Sequence, residues 1–213
     1  MAAYSDDEQL EQLKQWFREN GKAIVAGVII AVGGVVGWQQ WNSYQDRQAE
    51  SAALAYAQLM EARHTDADAA TIDRRGRAVM DGYAGTAYAA MAGLQLGEHH
   101  ASTGQLDDAR QALEWVVDNA RDSAFRHMAR LRLAQVLMAA GDAEAALAVL
   151  EVDDHGEFRM QYQERLGDVY AELGRVEDAI AAYEAVLGSE QLGRDRREHV
   201  ELKRNDLVSG GNA

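Results

Sequence analysis

Apolar and polar positions follow three different patterns along the chain, and together they predict an all-α protein. Residues 1–20 are mostly polar with apolar side chains at helical spacing, and residues 21–41 are almost entirely apolar. Residues 42–207 place an apolar side chain every three to four positions. We therefore predict an amphipathic segment, a transmembrane anchor helix and an α-helical domain, followed by a disordered tail at residues 208–213.

The apolar stretch predicts a helix that stays in a membrane. From Ala23 to Trp38 no residue is charged, which gives about 24 Å of helix against a hydrocarbon core of about 30 Å. Extension to residues 21–41 reaches the required length, and aromatic residues flank both ends as expected at membrane interfaces. They are Trp16 and Phe17 on one side and Trp38, Trp41 and Tyr44 on the other. The alternatives are a buried soluble helix and a cleaved signal, although "WQQWNSYQ" lacks the small residues of a cleavage site.

Basic residues near the two ends of the stretch predict its orientation. Lys14, Arg18 and Lys22 precede or begin it, whereas only Arg47 follows closely. Because positively charged flanks stay in the cytoplasm, we expect a cytoplasmic N-terminus and a translocated C-terminal domain. In a Gram-negative cell that domain would be periplasmic.

The segment from Asp6 to Asn20 has the pattern of a short amphipathic helix. Ser5 with Glu8 three residues later fits a capping box, and Gly21 interrupts the pattern. The shared apolar face consists of Leu10, Leu13, Trp16 and Phe17. This face is expected on the cytoplasmic surface of the membrane, although a partner subunit could equally cover it.

Small residues inside the apolar stretch form a surface that another membrane helix could approach closely. Gly33 and Gly37 form a G-x-x-x-G pair, and Gly27, Ala31 and Gly34 form a neighbouring stripe. Glycine is also simply frequent in membrane helices, so specific helix packing and no specific packing both remain open.

Three segments of the C-terminal region align on a glycine that follows a predicted helix. They are "LQLGEHHASTGQLDDARQAL", "LRLAQVLMAAGDAEAALAVL" and "ERLGDVYAELGRVEDAIAAY". Their turn glycines, Gly104, Gly141 and Gly174, are spaced by 37 and 33 residues, close to the tetratricopeptide period of about 34. We predict a tetratricopeptide-like α-solenoid of helical hairpins.

Each segment supplies small residues for helix crossings and large residues to fill the gaps. The third supplies Leu166, Gly167, Tyr170, Ala179 and Tyr183, and the second Leu133, Ala134, Leu137, Ala146 and Leu150. The first supplies Leu96, Gly97, Ala109 and Leu113, with His100 where an aromatic residue is usual. All three lack the repeat's tryptophan and closing proline, so they are divergent copies.

The flanks complete the predicted array. Ser51–Arg63 and Ala70–Gly82 form a further hairpin across the polar "HTDAD", and Gln191–Leu207 form a charged capping helix. Asn42–Gln48 contain no glycine or proline and should continue the anchor as helix.

Composition narrows the function classes. A net charge of -14 and a pI near 4.8 argue against a nucleic-acid partner, which requires a basic face. Without cysteine, thiolate catalysis and Cys-ligated zinc are excluded. His99 and His100 are adjacent and so point to different helix faces, while the "DDH" at 153–155 lies in a connection between repeats. We expect no enzyme activity, no metal and no cofactor.

Four blocks of the sequence resemble those of a known protein family. The blocks "WFRENGKAIVAGVIIAVGGVVGWQQWNSYQ", "ESAALAYAQLMEA", "YAGTAYAAMAGLQLGEHH" and "ELKRNDL" are similar to the YfgM-like ancillary subunits of the SecYEG translocon. A proline expected in the "YAGTAYA" turn is replaced by Ala84 or Ala87. The resemblance implies a bacterial inner-membrane protein with a periplasmic tetratricopeptide-like domain, which associates with SecYEG and the chaperone PpiD and assists newly exported proteins.

A partner groove is expected on the concave surface formed by the first helices of the repeats. Its candidate residues are Met91, Leu94, Met128, Leu131, Gln135, Met138, Glu164, Asp168 and Glu172. Flexible methionines suit unfolded exported polypeptides, but the same residues also fit an ordinary core between repeats. A general envelope scaffold for cell division or cell-wall assembly would share these features and remains the alternative function.

Overall fold

The computed structural model of the protein describes residues 6–65, 67–190 and 192–210, which contain helices and no strand. The helices are α1 (Asp6–His64), α2 (Ala69–Gly82), α3 (Ala87–Ser102), α4 (Leu106–Asn119), α5 (Ser123–Ala139), α6 (Ala143–Leu150), α7 (Arg159–Glu172), α8 (Val176–Leu187) and α9 (Arg194–Gly210), with a 3-10 turn at Gly156–Phe158. The chain divides into two compact units, Met1–Gln48 and Ala49–Ala213.

The described part of the first unit consists of residues 6–48 of α1. Its apolar side chains are exposed around the whole circumference, from 50% at Val36 to 74% at Ile30. Two parts of α1, Leu10–Ala23 and Val25–His64, are inclined to each other by 45°. By length and hydropathy, no single helix in the described ranges qualifies as a membrane span, whereas this bent pair does so jointly.

The helical backbone of α1 continues through Gly21, where the amphipathic pattern of the sequence ends. A single glycine costs a helix only about 1 kcal/mol relative to alanine, and the apolar residues after it continue the helix to His64. The backbone is also helical through Asn42–Gln48, as predicted. Ser5 of the predicted capping box lies outside the described residues. The side chains of Glu8 and Phe17 also lie outside the described part of the structure.

The second unit is the predicted tetratricopeptide-like solenoid. Residues 49–64 of α1 pack on α2 through Leu59, Ala62, Ile72 and Val79. Then α3 pairs with α4, α5 with α6 and α7 with α8, and each helix also contacts its successor. The three predicted repeats and the preceding hairpin are therefore confirmed.

The predicted turn glycines end α3, α5 and α7 in one common geometry. Gly104, Gly141 and Gly174 have φ values of 77°, 80° and 72°, which L-residues rarely adopt. In each turn the residue after glycine donates its N–H to the carbonyl five positions earlier, at 2.8–2.9 Å. This is the Schellman hydrogen bond that satisfies the end of a helix.

The crossings of paired helices follow the predicted exchange of small and large residues. A Cβ atom at Gly97 would lie 2.6 Å from Cγ of Leu113, and one at Gly167 would lie 2.7 Å from Cδ1 of Tyr183. In the middle repeat Ala134 and Leu150 are both fully buried. Close helix approach therefore fixes which residue types these positions accept.

Helix α9 covers the C-terminal end of the solenoid. Val200 is fully buried against α8, in one cluster with Leu192 and Val186. The helix begins at Arg194 rather than at Gln191, which lies outside the described residues, and it runs to Gly210. The predicted disordered tail is thus wrong for residues 208–210, where the helical backbone continues and Ser209 Oγ donates to the Asp206 carbonyl at 3.0 Å.

Candidate protein-binding surface

The first helices of the pairs line one face of the second unit, which we call the first-helix face. It consists of residues 49–64 of α1, then α3, α5 and α7, with α9 beside α7. Side-chain contacts link neighbouring helices of this face. The ring centroids of Tyr56 in α1 and Tyr88 in α3 are 5.9 Å apart. Arg132 Nη1 donates to the Leu94 carbonyl at 3.2 Å. This is the face on which the sequence predicted a partner groove.

A cavity of about 410 Å³ opens between α3 and α5. Leu106 and Leu113 of α4 contribute to its apolar wall, and Gly97 leaves room by lacking a side chain. The remaining lining residues are Glu98, Ala101, Arg132, Gln135, Val136 and Ala139. An apolar wall with a few polar groups is the usual composition of a ligand site in proteins.

The charges beside this cavity are only loosely paired. Glu98 lies 3.8 Å from Arg63 and 3.9 Å from Arg132, with 54% of its side chain exposed. Exposed ion pairs at such distances contribute about 0–1 kcal/mol. A ligand could therefore exchange them at small cost.

The charges between α7 and α9 are tightly paired. Glu164 accepts from Arg196 Nε at 2.8 Å, and Asp168 accepts from Lys203 Nζ at 2.8 Å and from Tyr183 Oη at 2.9 Å. Burial alone would raise the pKa of Glu164, but Arg196 and Lys203 hold it below its ordinary value. Burial and the charge of Asp168 raise the pKa of Tyr183. These groups attach α9 to α7.

The apolar residues predicted for the groove lie mainly in the helix-packing core. Leu94 is only 5% exposed, because its helix face packs against α4 and α5 in the central core cluster. Half-buried against the same cluster are Met128, Leu131 and Met138, and Met91 is half-buried as well. The buried position of Leu94 argues against a direct ligand contact there.

The polar residues predicted for the groove divide into two groups. Gln135 is exposed and lines the cavity, and Glu172 is exposed near the end of α7. Glu164 and Asp168 are covered by α9, which the sequence had placed only as a cap. Glu98 and Arg132 also line the cavity and were not among the predicted groove residues.

A buried polar network joins α5 to α7. His127 is 9% exposed, its Nδ1 lies 3.0 Å from the hydroxyl of the fully buried Tyr162, and its ring stacks on Phe158. The His155 ring lies 4.4 Å from that of Tyr162. Burial, and secondarily the charge of Arg130, hold the pKa of His127 below its ordinary value. No motif in the sequence predicted the contact between His127 and Tyr162.

The other histidines and acidic groups considered for chemistry have structural contacts. His100 is buried, with its ring nitrogens 3.0 Å from Gln105 Oε1 and 3.3 Å from Asp73 Oδ1, as expected for a packing residue. Asp154 accepts the Gly156 N–H at 2.8 Å. In the described ranges, no group of three or more His, Asp or Glu side chains could hold a metal ion.

The predicted small-residue stripe of the first unit is open. A Cβ atom at Gly27, Gly33, Gly34 or Gly37 would meet nothing within 4 Å, and Ala31 is exposed. These positions therefore leave space for the close approach of another helix.

Comparison with known proteins identifies the family. A family model described as a tetratricopeptide repeat-like domain matches residues 14–209. The chain belongs to this family. Two crystal structures of nearly identical TPR-like repeats from Podosopora anserina share this tetratricopeptide repeat-like fold, with TM-scores of 0.53 and 0.52 at 17% and 16% identity. Each comparison covers 79% of this chain and 88% of the other.

Sequence similarity to curated relatives extends over nearly the whole chain. Proteins named "Ancillary SecYEG translocon subunit" are 29% identical in Escherichia coli, 27% in Haemophilus influenzae and 28% in Neisseria gonorrhoeae. The alignments cover 95–97% of this chain and 97–100% of those proteins. The resemblance found in the sequence is thereby confirmed.

Proposed function

We propose that the protein is a membrane-anchored ancillary subunit of the secretion machinery. It associates with the SecYEG translocon and the chaperone PpiD and assists the folding or passage of newly exported proteins. The single observation that carries this proposal is the similarity to translocon subunits over nearly the full length. The open cavity on the first-helix face supports a binding role.

The proposed arrangement places residues 1–20 in the cytoplasm, residues 21–41 across the inner membrane and residues 42–207 in the periplasm. Exposure of apolar side chains around the circumference from Val25 to Val36 supports the anchor, because such a surface requires an apolar solvent. Lys14, Arg18 and Lys22 support the orientation.

Two surfaces would make the contacts. The small-residue stripe from Gly27 to Gly37 would pack against a transmembrane helix of the translocon. The cavity between α3 and α5 would accept an apolar side chain of an extended exported segment, with Arg132 and Gln135 available to its backbone carbonyls.

Site-specific photo-crosslinking in cells tests both contacts. We expect a probe at Gly37 to capture translocon subunits and a probe at Gln135 to capture exported chains or PpiD. Matched controls are Val32, on the other side of α1, and Asp118, which is exposed on α4. Adducts from Gly37 with cell-division or wall-assembly proteins alone would instead establish the envelope scaffold.

A further inference from the structure

The first part of α1 carries three parallel stripes. Leu10, Leu13 and Trp16 are 51%, 54% and 51% exposed and share one side of the helix. Exposed cations repeat every four residues beside them, at Lys14, Arg18 and Lys22. A polar stripe with Glu11, Gln15 and Glu19 follows, in which Gln15 donates to Glu19 at 3.1 Å.

The order of the stripes fits a phospholipid surface. At about 100° per residue, Lys14 and Arg18 are about 40° and 80° around the helix from Leu10, so these two cations border the apolar side. Lys22 is about 120° from Leu10 and lies at the start of the proposed anchor. Apolar residues of interfacial helices enter the headgroup boundary by about 5–10 Å, while adjacent Lys and Arg reach lipid phosphates. The polar stripe with Glu11, Gln15 and Glu19 then faces away from the lipid. The charge order is thus complementary to an anionic membrane.

The bend in α1 fits the same surface. Leu10–Ala23 and Val25–His64 are inclined by 45°, and membrane helices are tilted by about 20° on average. The surface position proposed below requires the two angles to add, which brings the first part to within about 25° of the membrane plane. The bend falls three residues inside the proposed anchor, where the helix would enter the bilayer.

We propose that Leu10–Ala23 lies in the headgroup region of the cytoplasmic leaflet and binds anionic phospholipid through its apolar and basic stripes. This inference rests on the proposed anchor and deepens it. A segment held on the surface and joined at an angle prevents the anchor from rotating about its own axis. It thereby fixes the direction in which the stripe from Gly27 to Gly37 faces.

Depth-dependent fluorescence quenching of the full chain tests the proposal. Two single-tryptophan variants are reconstituted, one retaining Trp16 and one retaining Trp41, with the other tryptophans replaced by phenylalanine. The vesicles contain phosphatidylethanolamine with a minority of phosphatidylglycerol, and bromines are placed near the headgroup or near the bilayer centre. We expect Trp16 to be quenched several-fold more by shallow than by deep bromines. Trp41 should also be quenched, which reports insertion of the anchor.

Matched variants isolate the stripes, with circular dichroism as a control for an intact solenoid. Leu10→Gln with Leu13→Gln should abolish the shallow quenching of Trp16, whereas Gln12→Ala with Gln15→Ala should leave it unchanged. Lys14→Gln with Arg18→Gln should remove the dependence of the quenching on phosphatidylglycerol. Equal effects of the first two double variants would overturn the role of the apolar stripe.

The remaining outcomes separate this inference from the proposed anchor. Quenching of Trp41 without quenching of Trp16 would overturn the surface-lying segment while the anchor stands. Shielding of Trp16 only after addition of purified translocon would mean that protein covers the face, and deep quenching of Trp16 would mean that it inserts. If neither tryptophan is quenched, the anchor itself is wrong.

Discussion

Two stretches of α1 are rich in apolar side chains but expose them very differently. Between Val25 and Val36 the large apolar side chains are 50–74% exposed on every side of the helix. Between residues 49 and 64, Ala52, Leu59 and Ala62 are 0–2% exposed, whereas Leu54 is 65% exposed. The first stretch has no one-sided pattern, and the second has the periodicity of a helix packed on protein.

The difference shows what each stretch demands of its residues. An apolar solvent on all sides accepts any apolar side chain, because it imposes no particular shape. A protein core is close-packed and accepts only side chains that fit the neighbouring helix. Under the proposed anchoring, substitutions should therefore affect membrane retention in the first stretch and folding in the second.

The largest effect is expected from Leu59→Ala. Its fully buried side chain joins α1 to α2, and such truncations cost about 2–5 kcal/mol through lost burial and a residual cavity. Chemical denaturation followed by circular dichroism should show this loss with unchanged membrane fractionation. Leu54→Ala is the control and should change stability by less than about 0.5 kcal/mol. Similar losses in both variants would contradict the one-sided burial of this stretch.

A charge in the apolar stretch should have the converse effect. Ile30 is 74% exposed, so Ile30→Lys removes no core contact, but a lysine at the centre of a membrane helix costs about 3 kcal/mol. We expect more of the chain to be released by alkaline extraction of membranes, with an unchanged unfolding transition of the solenoid. Ile30→Val is the control. Unchanged retention of the lysine variant would count against the anchor.

Local sequence signals predicted most of the second unit. Gly104, Gly141 and Gly174 were recognisable because only glycine readily adopts their backbone conformation. Gly167 and Tyr183 were recognisable because a close helix crossing needs one small and one large residue. Such requirements act at single positions and recur at the repeat spacing.

Contacts between residues distant in sequence could not be predicted in this way. Asp168 and Lys203 are 35 residues apart, as are His127 and Tyr162. This separation is close to one repeat period of about 34 residues, but the period only places His127 and Tyr162 on neighbouring first helices and does not determine which side chains meet. The groove prediction met a related difficulty at Leu94, because the apolar pattern of α3 does not determine which of its apolar side chains enter the core, and Leu94 is only 5% exposed. The wider solenoid was therefore predictable, whereas the side-chain contacts across its first-helix face were not.

The same substitution can be made in both regions. At Gly167 an alanine Cβ would lie 2.7 Å from Cδ1 and 2.9 Å from Cζ of Tyr183, and overpacking of this kind costs about 1–3 kcal/mol. At Gly27 it would meet nothing within 4 Å, and alanine favours a helix by up to about 1 kcal/mol. We expect Gly167→Ala to lower the melting temperature of the solenoid and Gly27→Ala to leave it unchanged. Equal melting temperatures for the two variants would contradict the close crossing of α7 and α8.

The smallest effect should come from pH. It can arise within the second unit but not within the apolar stretch, because residues 23–38 contain no titratable side chain. Burial, then the charge of Arg130, lower the pKa of His127 in the folded state, below the value of about 6.5 in the unfolded chain. The unfolded chain therefore binds more protons in mild acid, so His127 favours folding above about pH 6.5 and loses that contribution as the pH falls below it.

Denaturation at a series of pH values measures the proton uptake on unfolding. His127→Gln should reduce this uptake by a fraction of one proton in mild acid. His99, whose pKa is lowered chiefly by burial, contributes in the same direction, so His99→Gln is the matched comparison. Tyr162→Phe removes the hydroxyl beside Nδ1 but keeps the ring that buries His127. The Tyr162→Phe variant should therefore retain most of the pH dependence of stability. Complete loss of the His127 contribution in this variant would mean that the hydroxyl, rather than burial, sets the protonation of His127.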